Sequence, residues 1–187
     1  AETSTLETNT GIDYSHGSLK YTDNTFNMAI DGDGFFALEA ANGMRYTRNG
    51  QFQLSNTNEL ITDTGAKVLG QGGPIVIPKG GGEIIVDKKG IISINGKEVG
   101  RFMITNFNDL TKIVPTGDST FAAPEDSIDD SGEAKFNIAQ GYLESSNVSV
   151  VTEMVDMITN MRSYEASNNV IKTFSELMER LIANQAT

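Results

Sequence analysis

The sequence predicts a mainly β fold with one long C-terminal α-helix. The expected shape is a compact multi-hairpin β module, a partly closed barrel or sandwich, carrying a projecting helix of coiled-coil type. Three observations carry this reading. Short apolar runs recur through residues 26–141, each bounded by Gly, Asn or Asp, which is the punctuation of strands and turns. Asn-Gly occurs there at Asn42-Gly43, Asn49-Gly50 and Asn95-Gly96, and this dipeptide accepts the positive φ angles of tight hairpin turns. From Val150 to Ala183 there is then neither Gly nor Pro, and apolar residues recur at steps of 3 and 4.

Taken in order, residues 1–25 are polar, rich in Thr, Ser and Asn, and read as an extended leading segment. Residues 26–141 read as a β-rich domain, with strands expected at 35–39, 44–48, 51–54, 75–77, 83–87, 91–94 and 97–107. The first and third Asn-Gly pairs sit between plausible partner strands. Gly32, Gly34, Gly43, Gly50 and Gly96 are the expected turn glycines. Residues 70–74 and 80–82 look like loops. Residues 109–131 have weak periodicity, two prolines and several acids, and read mostly as a long surface loop.

Residues 142–187 read as an amphipathic helix. Asn147 or Ser149 is placed to cap it by accepting orphan amide hydrogens, and Glu153 suits the positive end of the helix dipole. Val150, Met154, Met157, Met161 and Tyr164 follow steps of 4, 3, 4 and 3, a heptad-type seam. The stripe resumes at Ile171, Phe174, Met178 and Leu181 after a polar break at 165–169. Such a helix is ~50 Å long, whereas a module of ~115 residues has a radius of gyration of about 13 Å. These nine apolar residues are therefore expected at a subunit interface. Their partner is either a segment outside this sequence or another subunit.

Composition excludes several functions. Lys plus Arg number 14 against 25 Asp plus Glu, a net charge of −11, which argues against nucleic acid and anionic membranes as partners. With no cysteine there is no disulfide, thiolate metal site or Cys nucleophile, and His16 is the single histidine. No run is long and apolar enough for a transmembrane helix, and no secretory signal is visible. Asp63-Thr64-Gly65 matches the aspartic-protease triplet, with Asp130-Ser131-Gly132 as a poor second copy; a turn between strands is the better reading. Asp31-Gly32-Asp33-Gly34 begins like a calcium loop, but Phe35 and Phe36 stand where further ligands are needed. The glycines of GQGGP and KGGGE lack the Lys-Ser/Thr of a phosphate loop. No catalytic, cofactor or metal constellation emerges, so an enzyme is not expected.

Four blocks, in order, resemble the bacterial flagellar axial proteins, the rod and hook family. The first is Gly17-Ser18-Leu19 with Met28-Ala29-Ile30-Asp31-Gly32-Asp33-Gly34-Phe35-Phe36. The second is Arg45-Tyr46-Thr47-Arg48-Asn49-Gly50-Gln51-Phe52, and the third Val68-Leu69-Gly70 leading to Gly73-Pro74-Ile75-Val76-Ile77-Pro78. The fourth is Gln140-Gly141-Tyr142-Leu143-Glu144-Ser145-Ser146-Asn147-Val148, running on to Arg162-Ser163-Tyr164-Glu165. The resemblance is nearest to the proximal rod branch, then the distal rod branch, with the hook branch third. Asn27 stands where the family carries an acid, and the family's Ala- and Asn-rich N-terminal helix is missing, which implies an N-terminally truncated chain.

What the resemblance implies is structural: a subunit of the basal-body rod, the axial drive shaft of motility. Terminal helices would form an inner coiled-coil layer, here 142–187, with 26–141 as the outer domain. Implied partners are further copies, other rod and hook subunits and the flagellar type III export apparatus, with no small-molecule substrate and no cofactor. The implied location is the rod crossing the periplasm, reached without a cleaved signal peptide. The competing readings are a hook subunit of the same family, or a surface β module binding glycan or peptidoglycan through Tyr46, Phe52 and Phe107.

Overall fold

Four consecutive apolar residues, Phe35 to Leu38, organise the β architecture, because a strand with a period of two can bury such a run only if both its faces are covered. The computed structural model describes residues 14–78, 80, 82–129 and 135–185, without the side chains of Glu125 and residues 181–185. The chain divides into two units, Ala1–Ser145 and Ser146–Thr187. The first holds β1 (Leu19–Tyr21), β2 (Met28–Gly32), β3 (Phe35–Ala40), β4 (Gly43–Thr47), β5 (Phe52–Leu54), β6 (Leu60–Thr62), β7 (Lys67–Gly70) and β8 (Gly73–Pro74). It continues with β9 (Ile84–Val86), β10 (Ile91–Ile94), β11 (Lys97–Arg101), β12 (Ile104–Thr105), β13 (Val114–Gly117), β14 (Thr120–Ala122), β15 (Phe136–Gln140) and β16 (Tyr142–Glu144). The second unit holds one helix, α1 (Val150–Gln185). The fold is thus mainly β with one C-terminal helix, as the sequence predicts.

The main sheet is curled and antiparallel, in the order β13-β14-β4-β3-β7-β6-β5, with β12 also on β3 and β8 on β7. Three smaller sheets are β1-β16, β11-β10-β9 and β15-β2. Strand β3 separates two cores. Phe36 and Leu38 join Met28, Ile30, Val68 and Ile92 on one side, where the Phe36 ring meets Phe52 at 5.1 Å and Phe102 at 5.5 Å between centroids. Phe35 and Ala37 join Tyr46, Phe107 and Ile113 on the other, where Tyr46 and Phe107 meet edge-on at 4.9 Å. Edge-on rings at these spacings add to the burial of their area. The open edge of β9 is capped by Gln140, whose amide accepts from Val86 N at 2.9 Å and donates to Ile84 O at 2.9 Å, mimicking a strand.

Some expected elements differ. The run 97–107 is two strands, β11 and β12, because Phe102 leaves the ladder to enter the core at 2% exposure. Residues 75–77 form no regular strand, although Ile75 N and Ile77 N donate to Val68 O and Asn58 O. Residues 109–131 are not mainly loop. Within them the hairpin β13-β14 extends the main sheet, and buried Ile113 anchors the preceding short 3-10 turn, Leu110–Lys112, to the second core. Asp109 caps that turn, and the hydroxyl and amide of Thr111 hold its carboxylate below the ordinary range. This hairpin turns on Asp118 and Ser119, both at positive φ, with no glycine at either position. The sequence conceals it because Val114–Gly117 is exposed throughout and shows no apolar alternation.

Among the expected turns, Asn95 and Gly96 at φ 51° and 77° form the two-residue hairpin between β10 and β11. Gly50 has a different reason to be glycine. Its carbonyl accepts from Met28 N at 2.9 Å, and a Cβ there would collide with the Met28 carbonyl. Replacing Phe36, fully buried, by Ala is expected to destabilise the β unit by about 3–5 kcal/mol. Gly50→Ala is expected to destabilise it too, by prising β2 from residue 50. Urea unfolding followed by tyrosine fluorescence measures both, with Met44→Ala, at an exposed hairpin residue, expected to change stability by no more than about 0.5 kcal/mol.

Candidate functional site

The chemistry-bearing motifs resolve into structure. Asp63, Thr64 and Gly65 form the turn between β6 and β7, where Gly65 N donates to Thr62 O and the Thr62 and Thr64 hydroxyls lie 2.9 Å apart. Asp130-Ser131-Gly132 lies outside the described residues. Asp31 is paired across β2-β15 with Asn137, and Asp33 N donates to Lys135 O. Among the described residues no group of three or more His, Asp or Glu is arranged to hold a metal. Tyr46, Phe52 and Phe107 are buried at 3%, 3% and 6% exposure. They are core rings rather than a concave aromatic surface, which corrects their reading as a glycan-binding set.

A cluster that the sequence does not disclose surrounds Arg48. Its Nε donates to Glu144 Oε2 at 2.8 Å, and its two Nη atoms donate to the carbonyls of Gly34, Gly32 and Ile30 at 3.1, 3.1 and 3.3 Å. The guanidinium also stands 5.7 Å from the centroid of the Phe35 ring. Glu144 Oε1 accepts from Gly17 N at 2.9 Å, and His16 lies between Asp33 and Glu144 at 3.7 and 3.9 Å. Arg48 and Glu144 expose only 17% and 12% of their side chains, so the pair works largely out of water. It fastens the leading segment, the β2–β3 turn and the last strand to one another. Of the turn glycines, Gly32, Gly34, Gly43 and Gly96 have positive φ, whereas Gly50 does not.

The predicted interface residues lie on α1. Ser149 caps the helix: its carbonyl accepts from Glu153 N at 3.0 Å, and its hydroxyl from Thr152 N at 3.5 Å. Val150, Met154, Met157, Met161, Tyr164, Ile171, Phe174 and Met178 are all exposed, from 47% for Met178 to 71% for Tyr164. Leu181 belongs to the helix, and its side chain lies outside the described residues. Val151, Val155, Ile158, Val170 and Leu177 are exposed as well, so the apolar surface is wider than the heptad positions alone. Large apolar side chains exposed in this number are more than the scattered singles of an ordinary surface.

Residues 139–184 match the family described as flagellar basal body rod FlgEFG protein C-terminal, and residues 29–94 match the flagellar hook protein FlgE/F/G D1 domain. The chain is 33% identical over 178 residues to the flagellar basal-body rod protein FlgF of Caulobacter vibrioides, covering 92% of this chain and 70% of that protein. It is 34% identical over 180 residues to FlgF of Salmonella typhimurium, covering 89% and 70%, and 31% identical over 183 residues to FlgG of Bacillus subtilis, covering 90% and 69%. This chain belongs to the flagellar basal-body rod protein family, a structural family of the flagellum.

The Arg48 cluster gives a separable test of the β unit. Arg48→Met strands a mostly buried carboxylate and is expected to cost about 3 kcal/mol, while Arg48→Met with Glu144→Gln is expected to cost clearly less than the sum of the two single changes. A double-mutant cycle by urea denaturation measures the coupling; additive costs would show the pair to be inconsequential.

Proposed function

We propose that this chain is a structural subunit of the flagellar basal-body rod and that α1 is its assembly surface. The observation that carries the reading is the exposure of the apolar residues of α1, 62% at Met157 and 59% at Met161, within the stretch matched by the rod C-terminal family. Burying such surface yields about 25 cal/mol per Å², and here that gain comes on assembly. Methionines suit the task, since their flexible thioethers fill slightly different gaps from one neighbour to the next.

In this reading the β unit, to which Tyr142–Glu144 belong as β16 rather than to the helix expected over 142–187, forms the outer domain and α1 the inner helical layer, with the leading residues coming from a further N-terminal helix. The interface residues are Val150, Met154, Met157, Met161, Tyr164, Ile171, Phe174, Met178 and Leu181. Partners are further copies and other rod and hook subunits, and the subunit reaches the periplasm-crossing rod through the flagellar export apparatus without losing a signal peptide. The absence of cysteine supports that route, since an unfolded chain in transit then forms no disulfides. The subunit binds no substrate and performs no catalysis.

Met157→Asp with Met161→Asp in the full-length protein provides the test. The variant is expected to accumulate and fold normally in its β unit, yet to be missing from isolated basal bodies and to abolish swimming. Normal incorporation and normal motility would refute the role assigned to α1.

A further inference from the structure

Asparagine followed by glycine carries a reaction of its own. The glycine nitrogen can attack the asparagine side-chain carbonyl, because no Cβ on the glycine obstructs the approach. The chain offers three such pairs, Asn42-Gly43, Asn49-Gly50 and Asn95-Gly96. All three stand where one strand gives way to the next, yet the fold treats them differently.

Asn49 and Asn95 are held. Asn49 Oδ1 accepts from Gln51 N at 3.1 Å, and Asn49 N donates to Thr47 Oγ1 at 3.0 Å. Gly50 is buried and lodged against the Met28 carbonyl, so its nitrogen has no room to swing toward the Asn49 side chain. Asn95 is fixed in left-handed backbone at φ 51°, and its side-chain amide lies so close to Gly82 that a Cβ there would collide with it. Asn42 has no such restraint. It is exposed in the turn between β3 and β4, and its side chain has no hydrogen-bond partner among the described residues. Gly43 is exposed too, with no atom beyond its chain neighbours within 4 Å of the position that a Cβ would occupy.

We propose that Asn42 is a site of spontaneous deamidation, a reaction that the fold permits there and suppresses at Asn49 and Asn95. The Gly43 nitrogen forms a bond to Asn42 Cγ and closes a succinimide ring. The Cγ–Nδ2 bond breaks, and Nδ2 leaves as ammonia with the proton that the Gly43 nitrogen gives up. Water then opens the ring. Addition at Cγ yields aspartate, and addition at the main-chain carbonyl carbon yields isoaspartate, whose main chain runs through Cβ and Cγ. Nothing is oxidised or reduced, and solvent water is the only co-reactant.

The β unit can absorb either product. Pairing of β3 with β4 closes at Ala40 and Gly43, so residue 42 lies outside the ladder. The extra main-chain atom of isoaspartate therefore falls in the turn and leaves the register unchanged. Both products add a carboxylate to a chain already at −11, beside a groove that Asn42 shares with Arg45 and Asp118. The change accumulates with time, so its extent dates a subunit. None of this depends on the rod-subunit reading.

The full-length protein is incubated in mildly alkaline buffer, folded and in urea, and its peptides are weighed to locate the exchange of ammonia for water. In the folded protein Asn42 is expected to react at least about tenfold faster than Asn49 or Asn95, and in urea the three rates are expected to converge. Peptides spanning position 42 are expected to accept methyl groups from S-adenosylmethionine in the presence of a protein-isoaspartyl methyltransferase. Asn42→Gln, whose longer side chain closes a ring far more slowly, is expected to remove both signals. Reaction of folded Asn49 or Asn95 as fast as Asn42 would overturn the inference. So would a ranking that persists in urea, because sequence neighbours rather than the fold would then select the site. An Asn42 that stays intact in the folded protein would overturn it equally, by showing the turn to be a restraint.

Discussion

A largely buried ion pair holds the β unit at the point where its two chain ends come together. Arg48 commits four of the five N–H donors of its guanidinium, to one carboxylate and three backbone carbonyls. Lysine could not reproduce this, because a single ammonium lacks the planar fork. Glu144, in turn, spends its second oxygen on the Gly17 amide, so one carboxylate fastens both the leading segment and the last strand. Only residues 145–149 then separate β16 from α1. The chain therefore leaves the β unit from a strand whose final side chain is fixed.

Much of this fold was legible because local and long-range signals agree. The continuous run Phe35 to Leu38 is strand-like in composition, and its burial on both faces explains why it does not alternate. Asn95-Gly96 announced its turn, and Ser149 its helix cap, because both depend on neighbours within a few residues. The Arg48–Glu144 pair was illegible because its partners are 96 positions apart and each residue type is ordinary on a surface. The β13-β14 hairpin was hidden for another reason: it is stabilised by Ile113 and by Thr116–Thr120 hydrogen bonding rather than by an apolar strand pattern. Gly50 follows Asn49 as a turn glycine would, yet its role, close passage against Met28, depends on a contact that no spacing rule expresses.

Asn27 is an asparagine for a reason that its surroundings supply. Asn27 is buried, its Nδ2 donates to the Thr22 hydroxyl at 2.9 Å, and that hydroxyl donates onward to Gly141 O at 3.0 Å. A carboxylate at this position would offer no donor to a hydroxyl whose proton is already committed. Asparagine and Thr22 thus form a matched set, joining the leading segment to the Gly141 turn between β15 and β16. The same turn is held from the other side by Gly141 N donating to Asn27 O.

The apolar residues of α1 fall on opposite sides in its two halves: Met154, Ile158 and Met161 stand eighteen positions, about five turns, before Lys172, Glu176 and Glu179. One continuous apolar stripe along thirty-six residues would favour pairing with any long amphipathic helix, or lying on a lipid surface. Divided between opposite sides, each face spans only about two heptads, short of the three to four that sustain a coiled coil. Neither run alone is long enough to hold a long helix, and the polar stretch 165–169 separates the two.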